Sequence, residues 1–247
     1  MLQCHEVIDV EDEDDVKPGV ADTEQEVMIP VRRVRHSLVW ILAFMERRRG
    51  RLEKVIDVVN WFGEPAVTIT TDASPWGLGA TLHVQGQLWA VICDGLHEAD
   101  LKRFELERGD CRGQSLWEAL AELVAIRTWA PLWRLTRTQL RVRGDSQAAL
   151  GALGKLRSPS PHINAIAREL AIDLAESSFE LAVHQHIPGK SNVLPDFLSR
   201  LEEPGASKRP PCDLSKVHCT KVEPRGPSWW RTWAGPDVEK DVAGDDE

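Results

Sequence analysis

The chain has 247 residues, 42% of them hydrophobic, and a formal net charge of −9. That length allows one domain of ordinary size with tails, or two small domains. The longest apolar run, residues 38–45, is far too short to span a bilayer, and the acidic stretch 11–15 stands where a secretory signal would need a basic and then an apolar segment.

Five cysteines, Cys4, Cys93, Cys111, Cys212 and Cys219, are odd in number and scattered. They argue for a reducing, intracellular setting, in cytoplasm or nucleus, rather than a disulfide framework. Cys212, His218 and Cys219 suggest zinc ligands only weakly, because a fourth ligand and a paired CxxC are missing.

The acidity is uneven. Residues 1–26 carry ten acids and one lysine, whereas residues 27–66 hold eight bases and four acids. Residues 67–201 are near neutral, with fourteen bases and fifteen acids. A polyanionic partner is therefore compatible with the chain despite its overall sign.

Residues 1–26 read as a disordered acidic arm. Within residues 27–63, Val34, Leu38, Ile41, Leu42 and Met45 fall on one helical stripe, with arginines crowding both ends. This basic amphipathic segment suits either packing on the main domain or contact with a phosphate backbone.

From Val67 the pattern turns mixed. VTITTDASPWGLGA begins as an alternating β-branched run and ends in a glycine-punctuated turn, with Asp72 where the strand stops being apolar. Strands are expected at 67–72, 79–84 and 88–93, the last two joined by a tight turn at 85–87. A polar stretch at 94–112 precedes a strong helix at 114–133, whose last turn Pro131 disturbs. A strand at 139–144 ends in Asp145-Ser146, a pair suited to capping the helix 147–156. A second amphipathic helix at 161–177, a strand at 179–186 and a short helix at 192–201 complete a domain spanning 64–203. Residues 204–247 are rich in Pro and Trp and read as a disordered tail.

Four acids sit where elements begin or end: Asp72 on the first strand, Glu118 early in the long helix, Asp145 after the fourth strand and Asp196 in the terminal helix. Singly, each has an ordinary explanation as a turn, cap or helix-dipole residue. Together they suggest a carboxylate cluster, which is unfavourable unless divalent cations neutralise it. All-oxygen ligation suits Mg²⁺ or Mn²⁺, and a pair of such ions can hydrolyse a phosphodiester.

The segments TTDASPWGLGA, SLWEALAELVAIRTW, RVRGDSQAAL and HIPGKSNVLPDFLSR occur in the order and spacing of a known family. Over about residues 68–201 the chain resembles the ribonuclease H domain of retrotransposon reverse transcriptase polyproteins, gypsy-like or DIRS-like. The last segment, close to the HIPGxxNxxADxLSR ending of those domains, is the most specific. More loosely, RRVRHSLVWILAFM resembles the segment joining polymerase and ribonuclease H in such polyproteins.

The resemblance implies an α/β, ribonuclease H-like fold: a mixed five-stranded sheet, three antiparallel strands then helix-linked strands, with helices on both faces. It implies Asp72, Glu118, Asp145 and Asp196 as ligands of two Mg²⁺ ions (Mn²⁺ being possible), and His186 as an aid to proton transfer or product release. Glu122, one turn after Glu118 on the same helical face, competes with it. His184 reads as structural, Gly189-Lys190 as a loop able to meet a phosphate, and Asn192 as the cap of the terminal helix. Pro195 replaces a common alanine, and the chain has no tyrosine.

The implied activity is a metal-dependent endonuclease acting on the RNA strand of RNA–DNA hybrids, beside a polymerase domain of the same element. The alternative is a catalytically inactive module of the same fold, kept for binding or assembly, or a transposon relic. A generic nucleotide-binding domain lacks a phosphate-cradling glycine motif.

Overall fold

The computed structural model describes residues 38, 41, 42, 45, 67–133, 138–176 and 179–231. The arm at 1–26 and the end of the tail, 232–247, lie outside the described residues. Leu38, Ile41, Leu42 and Met45 are helical, as their spacing requires, and all four are exposed.

Strands β1 (Val67–Ala73), β2 (Gly77–Val84) and β3 (Gln87–Gly95) form an antiparallel meander. The β2–β3 turn has positive φ at both Gln85 (51°) and Gly86 (81°), as a type I′ turn requires. Helix α1 (Glu98–Phe104) and the long α2 (Gln114–Trp129) follow. At Pro131, which cannot donate to the preceding turn, α2 gives way to a 3-10 turn over Ala130–Trp133. Strand β4 (Thr138–Gly144), helices α3 (Gln147–Gly154) and α4 (Pro161–Glu176), strand β5 (Phe179–His186) and helix α5 (Val193–Ser199) complete the domain. Ser146 caps α3, its hydroxyl accepting from the Ala149 N–H at 3.3 Å.

The α/β architecture is the one expected, with one strand more. The sheet order is β5-β4-β1-β2-β3-β6, β4 lying parallel to both β1 and β5. The sixth strand, β6 (His218–Cys219), pairs with the outer edge of β3. Helix α2 is buried on nearly every side, because the sheet, α3 and α4 enclose it. Leu78, Ala80 and Leu82 of β2 join its side chains in the core. Gly77 and Gly79, at alternate positions of the same strand, meet α5 on the other face.

Gly79 is required by that contact. A Cβ there would lie 2.2 Å from the Pro195 carbonyl oxygen and 2.6 Å from the Ser199 nitrogen. Gly79→Ala is expected to push α5 off β2 and cost about 1–3 kcal/mol, the usual range for overpacking. A denaturant melt measures this, and an unchanged midpoint would show that α5 is not held tightly.

The segment after Leu201 corrects the expectation of a disordered tail. Through Arg231 it is a strap across the domain. Arg225, 1% exposed, donates to both carboxylate oxygens of Asp100, at 2.7–3.0 Å, and to Asp94. Trp230 is buried edge-on to Phe104. Arg127 of α2 reaches Glu169 and Asp173 of α4, each at 2.6 Å, and lies 4.3 Å over the Trp229 ring. Ion pairs, edge-on aromatic contacts, the pairing of β6 with β3 and the buried Val222 fasten the strap.

Arg225→Met would strand Asp94 and Asp100 beside an apolar side chain. Breaking a buried ion pair in this way costs about 3–5 kcal/mol. The expected result is a large drop in the unfolding midpoint, partly restored by the further change Asp100→Asn.

Candidate active site

Strands β1 and β4 run side by side in the same direction, with Thr70 opposite Arg143. Their carboxyl ends therefore deliver Asp72 and Asp145 to the same rim of the sheet, where open α/β sheets commonly bind ligands. Helix α2 starts beside the end of β1 and brings Glu118 to the same place. One carboxylate oxygen from each of Asp72, Glu118 and Asp145 lies within 4.8 Å of the other two.

Each inner acid is held by a neighbour. Asp72, 4% exposed, accepts from the Asn192 side-chain amide at 3.0 Å and the Ser199 hydroxyl at 2.7 Å. The same amide also donates to the Thr71 carbonyl. Gln114 donates one side-chain amide to Glu118 at 2.9 Å and to the Ala73 carbonyl at 2.5 Å, tying helix to strand. Gly189 lies against Asp145, so close that a Cβ would come within 3.0 Å of its carboxylate.

Burial, with Asp145 and Asp196 adding repulsion against the bonding from Ser199 and the opposing charge of Arg200, pushes the Asp72 carboxyl from 3.8 up to about 7. Burial, then the charges of Asp72 and Asp145, push Glu118 from 4.5 to about 9, against hydrogen bonds from Gln114 and Ala73. Without a cation, two of the three carboxyls therefore resist ionisation near neutral pH. A divalent ion would reverse that preference, and an all-carboxylate donor set suits a hard cation. The residues present fit such an ion.

Glu122 is elsewhere: 1% exposed, it sits 2.7 Å from the His184 ring nitrogen and outside the acidic group. Burial raises its carboxyl, opposed by bonding to His184. Asp196 is also outside the three, because its carboxylate accepts from Arg200 at 2.7 Å and is 44% exposed. His186 is exposed at the end of β5, opposite Gly144 and so beside the strand end that carries Asp145. Asn192 stands at the cap position of α5, as expected, and its carbonyl accepts from the Asp196 N–H, but its side chain makes no capping bond; its amide supports Asp72 instead. Among the described residues, Cys212, His218 and Cys219 form no metal-binding group.

No protein-family model matches the chain, and no curated protein matches it at a significant level. Among the solved structures similar to the chain are two ribonucleases H1. One is the ribonuclease H1 LC11, isolated from compost by a metagenomic approach: 17% identical, covering 58% of this chain and all of that one, with a TM-score of 0.45. The other is ribonuclease H1 from the halophilic archaeon Halobacterium salinarum NRC-1: 21% identical, covering 51% of this chain and 88% of that one, with a TM-score of 0.37.

Gln114, Ser199 and Arg200 join the site as partners of its acids. Gln114 precedes Glu118, and Arg200 follows Asp196, by one helical turn, which is a legible signal. Ser199 reaches Asp72 across 127 positions and leaves no local trace. No described helix is long and apolar enough to cross a membrane.

Proposed function

We propose that the chain is a metal-dependent endonuclease that hydrolyses the RNA strand of an RNA–DNA hybrid, as part of a retrotransposon reverse transcriptase. The observation that carries this reading is the meeting of Asp72, Glu118 and Asp145 at the carboxyl ends of two parallel strands. The four quoted motifs add the substrate class. Bound by Asp72, Glu118, Asp145 and Asp196, a pair of Mg²⁺ ions, or Mn²⁺, would supply activation of water and stabilisation of charge on the phosphodiester.

The protein's own groups divide the remaining work. Asn192 and Ser199 fix the orientation of Asp72, and Gln114 that of Glu118, so the carboxylates need no rearrangement to act as ligands. His186, at the exposed rim, would aid proton transfer or product release, as the resemblance implies. Lys190, exposed in the loop beside Asp145, is placed to meet a phosphate. Selectivity for the RNA strand would follow from helix shape and the 2′-hydroxyl. The resemblance implies products ending in a 3′-hydroxyl and a 5′-phosphate.

Incubation with an end-labelled hybrid, with Mg²⁺ and with chelator, tests this directly. Cleavage confined to the RNA strand and abolished by chelator is expected. Hybrid binding with no cleavage would support the inactive module instead.

A further inference from the structure

Resting on the nuclease reading, we infer that Arg200 is a positioning residue that holds Asp196 out of the acidic group until a substrate phosphate takes the guanidinium. Asp196 and Arg200 are one turn apart on α5. The Arg200 Nε donates to Asp196 Oδ1 at 2.7 Å, and its Nη1 donates to Glu203 Oε2 at 3.1 Å. The guanidinium is thus strung between two carboxylates, and one of them is drawn from the neighbouring site.

Asp196 is nevertheless close to that site. Its charge raises the Asp72 carboxyl while that of Arg200 lowers it. The Ser199 hydroxyl lies 2.9 Å from the Asp196 backbone carbonyl and 2.7 Å from the Asp72 carboxylate. The backbone of α5 is therefore anchored against Asp72, while the Asp196 carboxylate is bonded to Arg200 and stands outside the group of three. A change of side-chain orientation would bring a fourth carboxylate toward the other three without moving the helix.

The pair is open to a ligand. Arg200 and Asp196 are 45% and 44% exposed, at a groove of about 420 Å³ that Phe197, Glu203, Ser207 and Arg209 also line. Exposed ion pairs hold weakly. A phosphate matches the guanidinium fork in two-pronged geometry and competes well for it. Released, Asp196 is free to serve the cation. Metal and hybrid would then each favour the same orientation of Asp196, so each tightens the binding of the other.

The test is isothermal titration of the full chain with Mn²⁺ for the parent, Arg200→Gln, Asp196→Asn and the double variant, with hybrid binding measured in chelator. Arg200→Gln is expected to bind Mn²⁺ about two- to five-fold more tightly than the parent, the scale of one exposed ion pair. That gain should vanish in the Asp196→Asn background, and Arg200→Gln should weaken hybrid binding in chelator. An equal gain in both backgrounds would mean that Arg200 acts only as a nearby charge, and overturns the inference. So does no gain at all, or hybrid binding unchanged by Arg200→Gln. Mn²⁺ uptake by the parent without the Arg200 effect leaves the nuclease reading standing; no uptake by the parent overturns both.

Discussion

Asp145→Asn is expected to lower Mg²⁺-dependent cleavage of an RNA–DNA hybrid by at least about 10²–10³-fold, the scale of losing one charge-stabilising group from an active site. Asparagine keeps the size of the side chain but loses the charge that a hard cation needs. Among the described residues no side-chain hydrogen bond ties Asp145 to another part of the fold, and it is half-buried at the rim rather than in the core. Removing its charge also relieves repulsion on Asp72 and Glu118. The melting temperature without metal should therefore stay level or rise while activity falls. Full activity in a folded Asp145→Asn protein would remove Asp145 from the mechanism.

The largest stability effect is expected from pH and metal together. Folded Asp72 and Glu118 keep their protons to about pH 7 and about pH 9, whereas in the unfolded chain they lose them near 3.8 and 4.5. Between these limits the folded state binds more protons than the unfolded state, so stability falls as pH rises. Their contribution is fully present below about pH 4 and is lost as pH passes through about 7 and then about 9. At about 1.4 kcal/mol per pH unit, this amounts to several kcal/mol for each group. Melts in chelator should show that decline, and millimolar Mg²⁺ should restore stability at pH 8 by binding only the folded state. Glu118→Gln cannot ionise, so it should be more stable than the parent at pH 8 in chelator and respond less to Mg²⁺. A parent protein with a flat melting profile from pH 5 to 9 would contradict the repulsive cluster.

The difference between what was legible and what was not follows from the range of the interactions. The strand 179–186 and the β2–β3 turn rest on alternation and turn chemistry within a few residues, and both occur as read. The acidic group was legible as spacing, because adjacent parallel strand ends bring Asp72 and Asp145 together. Helix α1 was hidden in a mixed-charge stretch, since the charge of its buried Asp100 is met by Arg225, 125 positions away. The strap was hidden for the same reason: an arginine and paired tryptophans read as solvent-facing until their partners are known.

Asn192 shows a different failure. Its position before α5 fits a cap, but its amide finds the Asp72 carboxylate and the Thr71 carbonyl across 120 and 121 positions. Spacing could place Asp196 on the terminal helix, but not the bond of its carboxylate to Arg200. The scaffold and its inner acids follow local patterns, and so does Gln114 beside Glu118, whereas the residues that hold Asp72 do so over long range.

Diffraction from crystals soaked in Mn²⁺, recorded at the manganese absorption edge, locates the metal without any assay of activity. Anomalous peaks bounded by the carboxylates of Asp72, Glu118 and Asp145 are expected. A folded protein with no manganese there, or with manganese bound only elsewhere, would contradict a metal-dependent nuclease built on these three acids.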